Sequence, residues 1–286
     1  MVLRTDIPLY PGGKTKAFTL SYDDGVVQDI RLAGLLRRYG LQATFNLNSG
    51  TFGQVDQYSH LKVKHEKVNK EQVRELYQNF EVACHTVTHP DLASVPEEMI
   101  SYEIACDKRN LENITGRIVT GLAYPYGTYS KITLETARRC GIRYARTIRS
   151  TESFELPEDF LVWNPTCHHS NPGLLKLAEQ FIGLGSDKRR PLPVFYVWGH
   201  AYEFDNDDCW NLIEELFQLI SGREDIWYAT NGQIEEYVSA WRQLRYSSDG
   251  SLIYNPTALD IWIRVVDEVY EIPSGRTAEI TPAWKL

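Results

Sequence analysis

Short apolar runs alternate with longer stretches of helical spacing along almost the whole chain. The short runs, rich in β-branched and aromatic residues, fall at 16–20, 43–47, 81–84, 118–123, 142–145, 161–166, 194–198 and 226–229. Between them, apolar residues recur every three or four positions at 28–39, 70–79, 96–114, 131–140, 173–184, 207–220 and 233–244. Asn69 before KEQV and Ser94 with Pro96 before the next stretch read as helix starts, and Gly40, Gly116 and Gly141 as stops. Strands and helices taking turns in this way predict right-handed crossovers and a parallel sheet. For 286 residues the expected architecture is α/β, a distorted (β/α) barrel of about seven parallel strands over residues 1–244, with an open doubly wound sheet as the alternative. After Leu244 an Asp-Gly turn, alternating strand patterns and a Ser-Gly turn predict a small β-rich extension, residues 245–286, packed on the barrel.

Charge and apolar run length each remove one class of partner. Lys and Arg total 30 against 38 for Asp and Glu, a net charge of −8 without a basic stripe, so nucleic acid is not an expected partner. No window approaches the roughly 18 uninterrupted apolar residues of a membrane span. The first residues, MVLRTDIPLYPGGKTK, lack the apolar core of a secretory leader, so the expectation is a cytoplasmic chain, extracellular only with a leader ahead of it. Cys84, Cys106, Cys140, Cys167 and Cys209 form no CxxC pair and read as reduced, mostly buried thiols.

In parallel α/β architectures, residues that directly follow strands converge at the carboxyl ends of the sheet. Here those positions hold Asp23 and Asp24 in SYDDG, Asn46 and Asn48, His85 and His89 in CHTVTHP, Pro125, Tyr126 and Gly127 in AYPYG, His168 and His169, and His200. Two histidines four apart plus a carboxylate from another strand make a three-ligand set with room for water, as in catalytic zinc sites. Each segment also has a plain reading: HTVTH as a loop with exposed histidines, DDG as a helix cap, AYPYG as a rigid turn. Trp163 and Trp198, at the ends of the sixth and seventh strands, are either core fillers or walls of a substrate site.

Together and in this order, SYDDG, HTVTH, AYPYG and a late strand-end histidine resemble the polysaccharide deacetylase family, the NodB-homology carbohydrate esterases, over about residues 16–241. The resemblance implies a hydrolase removing acetyl groups from N-acetylated or O-acetylated saccharides, or from another small amide, with a water activated by one divalent metal. It implies Asp24, His85 and His89 as metal ligands, Asp23 as catalytic base, the Tyr126 backbone N–H as oxyanion donor and His200 as proton donor on the opposite side of the scissile bond. Pro125, Trp163, Trp198 and His168 are expected at the substrate. Zinc is the expected metal, with cobalt, nickel and iron as alternatives.

Two positions depart from the family pattern. Ala123 stands where an arginine usually orients the base, and Arg146 and Arg149 after the fifth strand are candidate substitutes. The last motif reads VWGH instead of carrying leucines before its histidine, and His168 or His169 is an alternative proton donor. The competing functions are a cytoplasmic hydrolase of a non-sugar C–N bond, in a cyclic imide or ureide, and a carbohydrate-binding relative without catalysis.

Overall fold

The alternation in the sequence becomes one curled sheet. In the computed structural model, which describes residues 6–185 and 192–281, eight strands run parallel. They are β1 (Lys16–Asp23), β2 (Thr44–Leu47), β3 (Glu81–Cys84), β4 (Gly121–Ala123), β5 (Tyr144–Arg146), β6 (Cys167–His168), β7 (Val194–His200) and β8 (Ile226–Tyr228). Their order is β5-β4-β3-β2-β1-β7-β6, with β8 beside the first half of β1. All eight residues of β1 are buried, because the central strand of a parallel sheet is covered on both faces.

The crossovers are α1 (Asp29–Tyr39), α2 (Lys70–Leu76), α3 (Glu97–Thr115), α4 (Lys131–Arg139), α5 (Leu174–Ile182), α6 (Tyr202–Asn206), α7 (Trp210–Ile220) and α8 (Asn231–Trp241). Gly40 and Gly116 close α1 and α3 at φ 65° and 71°, a left-handed conformation that glycine adopts without a Cβ penalty. At the start of α2 the Asn69 backbone N–H donates to Gln72 Oε1 at 2.9 Å. Apolar faces such as Ile213, Leu216, Phe217 and Ile220 of α7 pack on the sheet, each fully buried side chain being worth about 1.5–3 kcal/mol.

Strand six differs from expectation. The 161–166 run does not form a strand: Phe160–Val162 is a 3₁₀ turn, and the strand is the two residues Cys167–His168. Pro165 lacks the N–H that a continuous ladder needs there. The broken segment still joins both edges of the sheet. Trp163 N–H donates to Ala145 O at 2.9 Å and Thr147 N–H to Trp163 O at 3.0 Å, while Cys167–His168 pairs with β7. This connection curls the sheet into a distorted barrel, so the open-sheet alternative does not hold. The helix expected from residue 207 begins at Trp210, behind the separate short helix α6.

Beyond α8 the chain forms two small antiparallel sheets. Ile261–Val265 pairs with Glu268–Ile272 and also with Asp6–Leu9 from the start of the chain. Leu252–Tyr254 pairs with Arg245–Tyr246 and with Thr277–Glu279. Ile253, Ile261, Ile263 and Ile272 share a buried cluster with Tyr10 and with Ile234, Tyr237 and Val238 of α8. Residues 282–286 of the expected extension lie outside the described residues. The five cysteines are free; Cys84 and Cys167 are buried and the others half-buried.

Candidate active site

The carboxyl ends of the strands open into a cavity of about 680 Å³ whose lining includes Asp23, Asp24, His85, His89, Trp198 and His200. A second cavity of about 500 Å³, near Gln42, Glu81, Arg117 and Arg143, has no comparable set of groups. Register explains the convergence. β1 lies between β2 and β7, and Asp23 is the direct neighbour of Asn46 on one side and His200 on the other. The turns beyond the strands hold unusual backbone: Asp24 (φ 80°), Thr86 (70°), His89 (62°) and Tyr126 (58°) are all left-handed without being glycine. Such conformations cost about 1–3 kcal/mol each and cluster where side chains must be aimed.

Asp24, His85 and His89 present one donor atom each within 4.8 Å of one another. His85 Nδ1 sits 2.8 Å from the Ala123 carbonyl, which can only accept, so Nδ1 carries the proton and Nε2 offers a lone pair to the cavity. Burial lowers the His85 pKa to about 4 and that of His89 below its ordinary value, so both rings are neutral at neutral pH. Helix α3 supports their turn from beneath. Asp107 accepts the backbone N–H of His85 at 3.0 Å and that of Ser49 at 2.8 Å, and Glu103 accepts the N–H and hydroxyl of Thr88 at 2.8 and 2.6 Å.

Asp24 has cationic company. Its Oδ1 is 3.2 Å from Lys67 Nζ and its Oδ2 3.1 Å from His65 Nε2, and Lys67 also donates to the Asp24 carbonyl at 2.9 Å. Burial would raise the Asp24 carboxyl, but Lys67 and the His65 hydrogen bond outweigh it and hold the group well below the usual range. One ionised carboxylate with two neutral imidazoles suits a divalent cation of zinc type. Lys67 is the partner with which such a cation would compete.

Asp23 is buried beside this trio. Its Oδ1 accepts from Asn46 Nδ2 at 2.8 Å, and its Oδ2 pairs with the guanidinium of buried Arg146. Burial pushes the Asp23 pKa up, yet Arg146, His85 and His200 together bring it below its ordinary value, so Asp23 is an ionised acceptor. Arg146 and Ala123 are register partners on β5 and β4, so the guanidinium approaches Asp23 from one strand over. Its other face lies on the Trp198 ring at 4.3 Å. Arg149 is exposed and plays no such part.

His200 ends β7 with Nε2 3.9 Å from Asp23 Oδ2 and Nδ1 3.3 Å from Glu203 Oε1. Burial disfavours its charged form, but Glu203, Asp24 and Asp23 outweigh that and raise its pKa to about 9. His200 therefore carries a proton at neutral pH. Glu203 also takes His168 and His169 Nε2 at 3.2 Å each, and those contacts with His200 hold it far below the carboxylate range despite burial.

The structure thus brings Asp23, Asp24, His85, His89, Tyr126, Trp198 and His200 around one cavity and removes three residues expected at the substrate. Trp163 is 1% exposed and packs against Tyr144, Phe160 and Tyr196, because its backbone pairs with β5 and turns the indole into the core. His168 lies edge-on to Trp198 and is bound to Glu203, outside the cavity lining. Pro125 is buried at the start of the turn that presents Tyr126. Asp23 and His200 are register partners on adjacent strands. Sequence reasoning missed His65, Lys67, Glu103, Asp107 and Glu203. The i, i+2 spacing of His65 and Lys67 and the i, i+4 spacing of Glu103 and Asp107 were the available signals.

Barrel and site together define an α/β protein with a candidate one-metal hydrolytic centre at its strand ends. The chain matches the polysaccharide deacetylase family over residues 11–145, which hold SYDDG, HTVTH and AYPYG but not His200. It is 26% identical over 134 residues to YxkH of Bacillus subtilis (strain 168), grouped with the polysaccharide deacetylases, covering 46% of this chain and 44% of that protein. It is 24% identical over 143 residues to a chitin deacetylase of Pestalotiopsis sp, covering 50% and 45%. The matched stretches thus span less than half the length of those curated relatives. In structure it is similar to a Mycobacterium smegmatis protein grouped with the polysaccharide deacetylases, at a TM-score of 0.61 and 16% identity, covering 85% of this chain and 96% of the other, which is a likeness of fold.

Proposed function

We propose that this chain removes acetyl groups from an N-acetylated or O-acetylated saccharide, with one divalent cation, zinc first, held by Asp24, His85 and His89. The observation that carries the reading is the convergence of those three donors beside a buried, ionised Asp23 and a protonated His200. When bound, the cation supplies Lewis acidity toward the acetyl carbonyl and the attacking water. Asp23, held by Arg146 and Asn46, accepts the proton that the water loses as it attacks. The Tyr126 backbone N–H steadies the negative charge that develops on the carbonyl oxygen. His200 then gives its proton to the departing amine and is oriented for this by Glu203. The 3.9 Å between Asp23 and His200 places proton acceptor and proton donor within reach of one bound acetyl group.

Acetate release from N-acetylglucosamine oligomers, assayed with zinc and after chelation, with cyclic imides in parallel, tests this reading. Metal-dependent acetate from the saccharides supports it; turnover of the imides alone contradicts it.

A further inference from the structure

The connection from β2 to α2, residues 48–69, is far longer than the roughly 2–6 residues typical of a connection in an α/β domain. It carries a hairpin in which Val55–Asp56 pairs with His65–Glu66. Its returning arm is laced to the loop after β1, with Val27 N–H donating to Glu66 O at 2.9 Å and Val68 N–H to Gly25 O at 2.8 Å. β1 lies between β2 and β7, so a segment that leaves β2 and reaches the segment after β7 must pass over the carboxyl end of β1. This one does. Lys62 N–H donates to Asn206 Oδ1 of α6 at 2.7 Å, and the His65 ring meets Tyr202 edge-on at 4.9 Å. Asp56 of the first arm and Tyr58, His60 and Leu61 from the tip line the cavity.

We propose that this strap closes the cleft on its β1–β7 side and makes the site selective for the terminal unit of a short N-acetylated saccharide. The inference rests on the acetyl-saccharide reading above and deepens it. An internal unit of a polymer needs free passage for the chain on both sides of its acetyl group, whereas a terminal unit needs it on one. With the acetyl carbonyl at Asp24, His85 and His89, a chain running toward α6 would meet Tyr58, His65 and Tyr202. The cavity of about 680 Å³ falls within the roughly 300–1,000 Å³ typical of small-ligand sites. Asp56 and His60 offer hydrogen bonds to hydroxyls, and the half-exposed Tyr58 ring offers a face to a sugar's C–H surface.

The test uses the zinc-loaded full chain with N-acetylglucosamine oligomers from monomer to hexamer, locating the freed amine by tandem mass spectrometry. The expected result is a kcat/KM that changes less than about threefold from dimer to hexamer, with the free amine always on a terminal unit. Replacing residues 57–63 by Asn-Gly, or untying the tip with Asn206→Ala should the first variant misfold, moves cleavage to internal units. Internal deacetylation by the unaltered chain, or a gain of about tenfold or more with length, overturns the proposal. If no saccharide releases acetate, the functional reading fails on its own account, and calorimetry on Asp23→Asn decides the strap. Equal affinity for dimer and hexamer supports it; hexamer preference beyond about tenfold, or no binding of either, overturns it.

Discussion

Asp23 shows how one side chain's role is set by its neighbours. Burial alone would raise its pKa, and Arg146, from the strand next to the expected one, leads His85 and His200 in reversing that. Arg146→Met should cost about 3–5 kcal/mol of stability, since it leaves a buried charge unpaired, and should slow turnover as well. Because Ala123 and Arg146 are register partners, Ala123→Arg in the Arg146→Ala background should restore part of the rate, measured as kcat/KM against the single variant. Asp23→Asn should keep bound metal by elemental analysis and lose turnover by about 10²–10⁴-fold. Lys67 pairs with the carboxylate that would hold the cation, so Lys67→Met should tighten zinc binding in a chelator competition. In metal-free protein His200 should titrate near 9 by NMR, protonated below that pH. Glu203→Gln removes the anion that holds the proton and should move the titration to lower pH. At this scale the sequence showed residue types at strand ends, which sufficed to expect Asp24, His85 and His89 close together. It could name Arg146 and Arg149 as substitutes for the missing arginine but not choose between them, because cross-strand register is a property of the sheet and not of the local pattern.

Elements position these groups. The turn His85 to His89 is strained at Thr86 and His89 and is tied down by Glu103 and Asp107, one turn apart on α3. Outer partners of this kind typically govern metal affinity by about 10–100-fold, and Asp107→Ala should weaken zinc binding by that order in calorimetry. β7 needs Gly199 because a Cβ there would lie 2.1 Å from His169 Nδ1. Gly199→Ala should therefore destabilise the fold by about 1–3 kcal/mol in chemical denaturation, shifting the histidines around Glu203. The strands and helices with strong periodicity were legible in the sequence within a few residues. The sixth strand was not, because LVWNPTC has a strand's composition while Pro165 breaks its ladder. The hairpin of residues 55–66 was not, because its pairing is two residues long on each arm.

The whole molecule is a barrel with two small sheets after α8, one of which takes in Asp6–Leu9 from ahead of the barrel. Tyr237 ties these parts, donating its hydroxyl to Leu9 O at 2.7 Å and accepting Trp262 N–H at 3.0 Å. A β segment after Leu244 was legible from its turns and alternation; its pairing with Asp6–Leu9 was not, since nothing local links residues so far apart. The strand-end rule did more for the site than any single motif. It gathered Asp23, Asp24, His85, His89, Tyr126 and His200 into one cavity before any contact was known, and it failed for His168 and Trp163, where the strand itself was misplaced. The most direct measurement is anomalous diffraction from crystals grown with zinc. One peak within about 2.0–2.2 Å of Asp24, His85 and His89 is the expected result. A peak on His168, His200 and Glu203, the other such group among the described residues, with none at Asp24, would contradict the account.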